Sequence, residues 1–216
     1  MKSKIKGFIF DLDGVITDTA EYHYKSWQSL ADEEGLTFNR EINEQLRGVS
    51  RMDSLDIILD GKDVPQEVKQ EWTDRKNNYY QKYLEEITKD NILDDMEAKL
   101  NSLIEKGYMI AVASSSRNAR KVLKNLEITD MFDTISDGNS VENAKPAPDL
   151  FLHTAEKLGL KPEECVVLED AESGVEAALA ANMKAVGVGP EGRVGKAHLV
   201  YSNVEEIDFD EIIESL

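Results

Sequence analysis

The chain reads as an α/β protein, a parallel sheet wrapped by helices and interrupted early by an inserted helical domain. Three observations predict this. Short apolar runs bounded by turn residues alternate with helical patterns over the second half of the chain. The stretch after Thr19 instead keeps a helical period for about seventy residues. Polar side chains gather where the apolar runs end, as they do when a parallel sheet builds a site beyond its carboxyl edge.

The first run, Ile5 to Phe10 broken by Lys6 and Gly7, reads as a short buried strand. It ends in Asp11 and Asp13, which face the same side if the extended geometry persists, and Gly14 lets the backbone turn at once. Paired carboxylates repel unless a cation or shared proton offsets them, so the pair marks a site. From Ala20 to Glu34 the stripe Trp27, Leu30 and Ala31 predicts a helix that Gly35 stops. His23 shares that apolar face, where taken alone it reads as a packed core histidine. A short helix ends near Leu46, and Arg47-Gly48-Val49-Ser50-Arg51 forms a loop that joins anion-binding groups to backbone freedom. A helix with Leu55, Ile58 and Leu59 follows. Pro65 suits the first turn of a longer helix striped by Val68, Trp72, Tyr79, Tyr80, Tyr83, Leu84 and Ile87. Lys76 falls inside the stripe, and its spacing leaves two readings, a side chain that snorkels to the edge or one that points into a shared cleft.

From Asn91 the α/β pattern resumes. A helix with Met96, Leu100, Leu103 and Ile104 ends at Gly107, and the strand Tyr108 to Ala113 delivers Ser114-Ser115-Ser116. A helix through Ala119, Val122, Leu123 and Leu126 leads to a strand near Phe132 to Ser136, and Pro146 keeps Lys145 in a loop. Phe151, Thr154, Ala155 and Leu158 form a helical face closed by Gly159, and the strand Val166 to Leu168 delivers a second acidic pair, Glu169-Asp170. Ser173 reads as a cap for the helix through Val175, Ala178 and Ala181. Strands at Ala185 to Val188 and near Leu199 to Tyr201, then a helix from Asp210, complete the pattern. The boundaries are two short crossings, which assign residues 1–17 and 92–216 to the α/β domain and residues 18–91 to the helical one.

Composition excludes several classes. A hydrophobic share of 41% with 31% charged residues is that of a globular chain, and a formal charge of -18 opposes nucleic acid and anionic membrane. Met1-Lys2-Ser3-Lys4 leads straight into the first strand with no apolar leader, which predicts a cytoplasmic protein. The one cysteine, Cys165, opens an apolar run and reads as a buried structural thiol. No interface stripe remains unassigned, which predicts a monomer.

Four polar groups emerge from strand ends or the loops after them: Asp11 with Asp13, Ser114, Lys145, and Glu169 with Asp170. Carboxylates without clustered His or Cys favour a hard ion such as magnesium, and a hydroxyl with a lysine suits phosphate. The set specifies phosphoryl transfer better than acyl transfer or redox chemistry, and neither a Walker loop nor a dinucleotide fingerprint is present. One aspartate would attack phosphorus while the other serves as acid and base, and spacing alone does not order the two roles.

Asp11-Leu12-Asp13-Gly14-Val15-Ile16-Thr17-Asp18, Ser114, Lys145-Pro146 and Glu169-Asp170 resemble the four ordered motifs of the haloacid dehalogenase superfamily of aspartate-nucleophile phosphotransferases. The resemblance implies a Rossmann-like core with a helical cap, Asp11 as nucleophile, Asp13 as acid and base, and magnesium held by Asp11, Asp13, Glu169 and Asp170. The insert resembles the cap of the superfamily's sugar phosphomutases through Thr19-Ala20-Glu21-Tyr22-His23, Trp27, Gly48-Val49-Ser50-Arg51, Lys76 and Ser114 to Asn118. That implies a distal phosphate site at Arg51, Ser116 and Asn118, and contacts to sugar or to Asp13 from His23, Lys76 and the Gly48, Val49, Ser50 loop. Thr19 would belong to the hinge, and Trp27, Arg47, Ser114, Arg117 and Lys145 would complete the binding set, with Ser115 contributing backbone alone. Lys76 then points into the cleft. Arg47 and Arg117 stand where related mutases often carry lysine, and Ile92 to Met96 lacks the usual Pro-Gly. The activity implied is transfer between the C1 and C6 oxygens of β-glucose phosphates, with glucose 1,6-bisphosphate as activator. The alternative is a sugar-phosphate or phosphoglycolate-type phosphatase.

Overall fold

The computed structural model describes residues 5–216, so Met1-Lys2-Ser3-Lys4 and the leader reading made on it lie outside the described residues. Six parallel strands, β1 (Gly7–Phe10), β2 (Met109–Ala113), β3 (Thr134–Ser136), β4 (Cys165–Glu169), β5 (Lys184–Val188) and β6 (Leu199–Tyr201), are ordered β3-β2-β1-β4-β5-β6. The order reverses between β1 and β4, where the parallel register sets Phe10 beside Leu168. The two acidic strand ends therefore emerge side by side at the switch point of the sheet, where such sheets bind ligands.

Alternation along β1 divides the apolar residues between two faces. Phe8 and Phe10 enter one cluster with Leu100, Leu123 and Ile212, while Ile9 enters another with Phe151, Ala155 and Val175. The first face is covered by α5 (Met96–Glu105), α6 (Ala119–Asn125) and α10 (Phe209–Ser215), the second by α7 (Asp149–Leu158), α8 (Glu172–Ala180) and the one-turn α9 (Glu191–Val194). Cys165 is a buried free thiol inside the second cluster, and burial pushes its pKa up to about 12. It has no nucleophilic character.

Four helices stand apart from the sheet: α1 (Ala20–Glu34), α2 (Arg40–Glu44), α3 (Arg51–Leu59) and α4 (Gln66–Leu84). Trp27, Leu30, Ala31, Leu55, Ile58 and Leu59 form a third apolar cluster among them. The chain leaves and re-enters the sheet at adjacent points. Thr17 Oγ1 donates to Asn91 O at 2.7 Å, and Leu93 N donates to Ile16 O at 2.9 Å.

Two apolar stripes differ from their sequence reading. The buried line of α4 is Thr73, Lys76, Tyr80 and Leu84, with Trp72, Tyr79 and Tyr83 half-buried beside it. Ile87 lies beyond the helix, and it joins Tyr80 and Leu84 in the cluster under the sheet. On α5, Ile104 is 42% exposed because the packed face is Met96, Leu100 and Leu103 alone.

Candidate active site

Asp11 follows the last residue of β1, and its backbone N–H donates to Leu168 O at 2.9 Å, which holds it against β4. Its carboxylate is divided between two donors. Lys145 Nζ lies 2.6 Å from Oδ1, and Asp13 N donates to Oδ2 at 3.0 Å. Lys145 is fully buried, with further contacts to Glu169 Oε1 at 2.6 Å and Ala113 O at 3.0 Å. Burial alone would lower its pKa, but the Asp11 and Glu169 carboxylates hold it above the ordinary lysine value, so the ammonium stays charged.

Oxygens of Asp11, Glu169 and Asp170 converge to within 4.8 Å of one another. Burial raises the Asp170 carboxyl to about 7, with the Asp11 charge adding to the effect and Arg47 and Arg193 opposing it. Burial also lifts the Glu169 carboxyl, against the pull of Lys145. Three buried carboxylates with one lysine among them lack positive charge, and an all-oxygen donor set of this kind fits a hard divalent cation such as magnesium. Gly14, at φ 78°, makes the approach possible, since a Cβ there would run into the Asp170 carboxylate.

The Asp13 carboxylate is placed differently from the sequence expectation. It is outside the converging trio and turns toward the cap, where Thr19 Oγ1 donates to Oδ1 and Tyr80 Oη donates to Thr19 Oγ1 at 3.0 Å. Alternation fails as a guide here because Asp13 already sits in a turn, with Gly14 N bonded to Thr17 O at 2.7 Å. Burial under the cap, then the Asp11 charge, raise its pKa to about 7, and the Thr19 hydroxyl opposes them.

A cavity of about 410 Å³ opens above these carboxylates between sheet and cap. Asp11, Asp13, Asp170 and Ser114 line it from the sheet, and His23, Trp27, Gly48, Val49, Arg51 and Lys76 from the helices. Lys145 and Glu169 lie beneath the lining, and Thr19 behind Asp13. Of the two sequence readings of Lys76, the structure takes the cleft, with the side chain buried and Nζ 2.8 Å from His23 Nδ1. Burial and the Arg51 charge hold the Lys76 pKa well below that of a free lysine, and burial with Lys76 keeps His23 neutral. At the far end Arg51 Nη2 donates to Asn77 Oδ1 at 2.8 Å, and Asn118 Nδ2 donates to the same oxygen at 2.9 Å. Ser116 and Arg117 line this end. Ser114 Oγ accepts from Ser116 N at 3.1 Å, and Ser116 Oγ from Asn118 N at 3.2 Å, so the hydroxyls order the turn that follows β2.

Ser50, Arg47 and Ser115 line the cavity and are also held by contacts within the chain. Ser50 caps α3, accepting from Asp53 N at 3.3 Å and donating to Asp53 Oδ2 at 2.5 Å. Arg47 reaches Asp170 Oδ2 at 3.0 Å and Glu44 at 3.1 Å, so its guanidinium is paired with carboxylates where it lines the cavity. Ser115, read as backbone alone, donates its hydroxyl to Gly48 O at 2.9 Å. Ser173 caps nothing; it lies within α8 and donates to Arg47 O at 3.3 Å. Sequence reasoning missed Asn77 and Tyr80 as site groups, and also Glu44 and Arg193. Tyr80, four residues beyond Lys76, shares its stripe and could have been found there, whereas Asn77 adjoins Lys76 but lies off the stripe.

Comparisons with known proteins agree with this geometry. The haloacid dehalogenase-like hydrolase family matches residues 8–188. The chain is 41% identical to the β-phosphoglucomutase of Bacillus subtilis (strain 168) over 211 residues, covering 95% of this chain and 93% of that one. It superposes on the crystal structure of β-phosphoglucomutase from Clostridium difficile with a TM-score of 0.94 and 42% identity, over 98% of this chain and 96% of that one. A fructose-1-phosphate phosphatase of Escherichia coli (strain K12) is 30% identical over 191 residues, 87% of this chain and 98% of the relative.

Proposed function

The chain belongs to the haloacid dehalogenase-like hydrolase family, and we propose that within it the chain is a phosphomutase interconverting β-D-glucose 1-phosphate and glucose 6-phosphate. The observation that supports this best is a cavity with two anion-holding ends. Asp11 and Lys145 stand at the sheet, and Arg51, bridged through Asn77 to Asn118, stands opposite. A hydrolase needs only the first end, whereas a sugar carrying two phosphates needs both.

Asp11 is the nucleophile, carried as an aspartyl phosphate. The C6 hydroxyl of β-glucose 1-phosphate attacks that phosphorus, its proton passes to Asp13, and the bond from phosphorus to the Asp11 oxygen breaks. The 1,6-bisphosphate turns over in the site. Asp11 then attacks the phosphorus at C1, the bond to the C1 oxygen breaks, and Asp13 returns its proton to that oxygen, releasing glucose 6-phosphate. A carboxyl near 7 suits both directions at neutral pH, which acid–base catalysis converts into about a hundredfold to ten-thousandfold in rate. Lys145 holds charge beside Asp11 throughout. Asp11, Asp170 and Glu169 would hold the divalent cation, which when bound supplies positive charge to the phosphoryl oxygens. His23 and Lys76 orient the sugar from the cap, and glucose 1,6-bisphosphate is the activator that phosphorylates Asp11.

The test incubates the protein with β-glucose 1-phosphate, Mg2+ and a catalytic amount of glucose 1,6-bisphosphate. Glucose 6-phosphate is expected, and Asp11→Asn should yield neither it nor a phosphoenzyme. Release of inorganic phosphate alone would turn the reading to the sugar-phosphate phosphatase alternative.

A further inference from the structure

Beside Asp170 the 44–48 segment of the helical insert meets the sheet domain through four polar contacts. Arg47 donates to Asp170 Oδ2 at 3.0 Å, Ser173 Oγ to Arg47 O at 3.3 Å, Ser115 Oγ to Gly48 O at 2.9 Å, and Arg193 Nη1 to Glu44 Oε2 at 3.4 Å. Arg193 is anchored before it reaches across, because its Nε donates to Asp170 O at 2.7 Å. The backbones also meet closely. Gly48, at φ 70°, leaves so little space that a Cβ would stand 2.5 Å from Ser173 Oγ and 3.0 Å from Ala171 Cβ. Every donor and acceptor in the set belongs to the chain, so the contacts need no substrate to form.

We propose that Arg193, Ser173 and Ser115 are positioning residues that clasp the 44–48 segment to the sheet domain, so that contacts within the protein, and not substrate alone, set how often the cap is closed. The clasp stands beside a group that would hold the cation, and Arg47 and Arg193 both touch Asp170. Closure by this route keeps water from the aspartyl phosphate whether or not a sugar is present. That consequence rests on the mutase reading, whereas the clasp itself does not.

The test measures domain separation by pulsed electron spin resonance on the whole chain. Labels are placed at Asp63→Cys and Glu156→Cys, both exposed positions, and the native Cys165 is buried away from label. Arg193→Ala and Ser173→Ala should each raise the ratio of open to closed molecules about twofold to fivefold, the effect of losing one partly exposed polar contact. Glu44→Ala should match Arg193→Ala, and the double variant should be no more open than either single one. In turnover, the same variants should raise phosphate release relative to glucose 6-phosphate by a similar factor. They should change KM for the activator more than kcat for phosphoenzyme formation. Unchanged distance distributions in Arg193→Ala and Ser173→Ala, or additive opening in the double variant, would overturn the clasp. A shift in distances without glucose 6-phosphate from the unsubstituted chain would uphold the clasp and reject the mutase reading.

Discussion

Thr19→Val should move the pH at which the enzyme loses its base, and the size of the move follows from the contacts. Asp13 carries opposing influences: burial and the Asp11 charge push its pKa up to about 7, while the hydroxyl of Thr19 donates to Oδ1 and holds it down. Valine keeps the shape of threonine and removes that donor. A hydrogen bond to a charged group contributes roughly 1.5–3 kcal/mol, and a pKa unit corresponds to about 1.36 kcal/mol, so the carboxyl should rise by about one to two units. At pH 7 the base form then falls from about half of the molecules to roughly one in ten or one in a hundred, lowering kcat/KM about fivefold to fiftyfold. Activity should recover as the pH is raised. The assay is the pH profile of kcat/KM for β-glucose 1-phosphate with phosphorylated enzyme. Thr19→Ser retains the donor and should leave the acidic limb within about half a unit. Tyr80→Phe removes only the bond that feeds Thr19, so its shift should have the same sign and be smaller. An acidic limb that stays in place for Thr19→Val, or moves to lower pH, would refute the assignment of Asp13 as the base held by this chain of hydroxyls.

Three further outcomes are expected from the buried carboxylates. Gly174→Ala would place a methyl group against the Glu169 carboxylate, which cannot swing away because Lys145 Nζ and Ala171 N both hold it. Overpacking of this kind costs about 1–3 kcal/mol, so the urea midpoint should fall and Mg2+ affinity should drop at least about tenfold; wild-type values for both would show that the pocket is loose. With metal chelated, stability should fall as pH rises from about 4 to about 7. Asp13 and Asp170 have folded pKa values of about 7 against an ordinary aspartate value of 3.8, so the folded state binds the extra protons and loses that advantage across this window. Added Mg2+ should raise the melting temperature more at pH 8 than at pH 5, where Asp170 must first lose its proton, and an equal rise at both would argue against Asp170 as a ligand.

Much of the site was legible because it depends on local rules. An apolar run ending in Asp11, another ending in Glu169-Asp170 and a proline after Lys145 place those groups through strand alternation and turn chemistry. The parallel sheet then brings the ends together at its switch point. What stayed hidden depends on partners distant in sequence. The Arg47 guanidinium finds Asp170 across 123 positions, and no pattern near Arg47 distinguishes a residue that pairs with a carboxylate from one that holds phosphate. Arg193 lies on a helix of four residues, too short to display a period. Lys76 was the intermediate case. Helical spacing put it on the packed face, but whether that face met solvent or a cleft depended on how the four helices close over the sheet.

The burial of Lys76 also bears on what the cavity accepts. Lys145 is buried among carboxylates and stays charged; Lys76 is equally buried but faces Arg51 and a neutral imidazole, and is driven toward its uncharged form. A sugar without phosphate would leave Lys76 in its uncharged form and would offer Arg51 no counter-charge. A phosphate at the distal end supplies it, and the low polarity that disfavours the bare cation strengthens its attraction to the anion. On the proposed reading, then, the cap selects against neutral sugars by electrostatics before any hydroxyl is recognised, while Asp13, on the opposite wall, is kept near neutrality by the same exclusion of water.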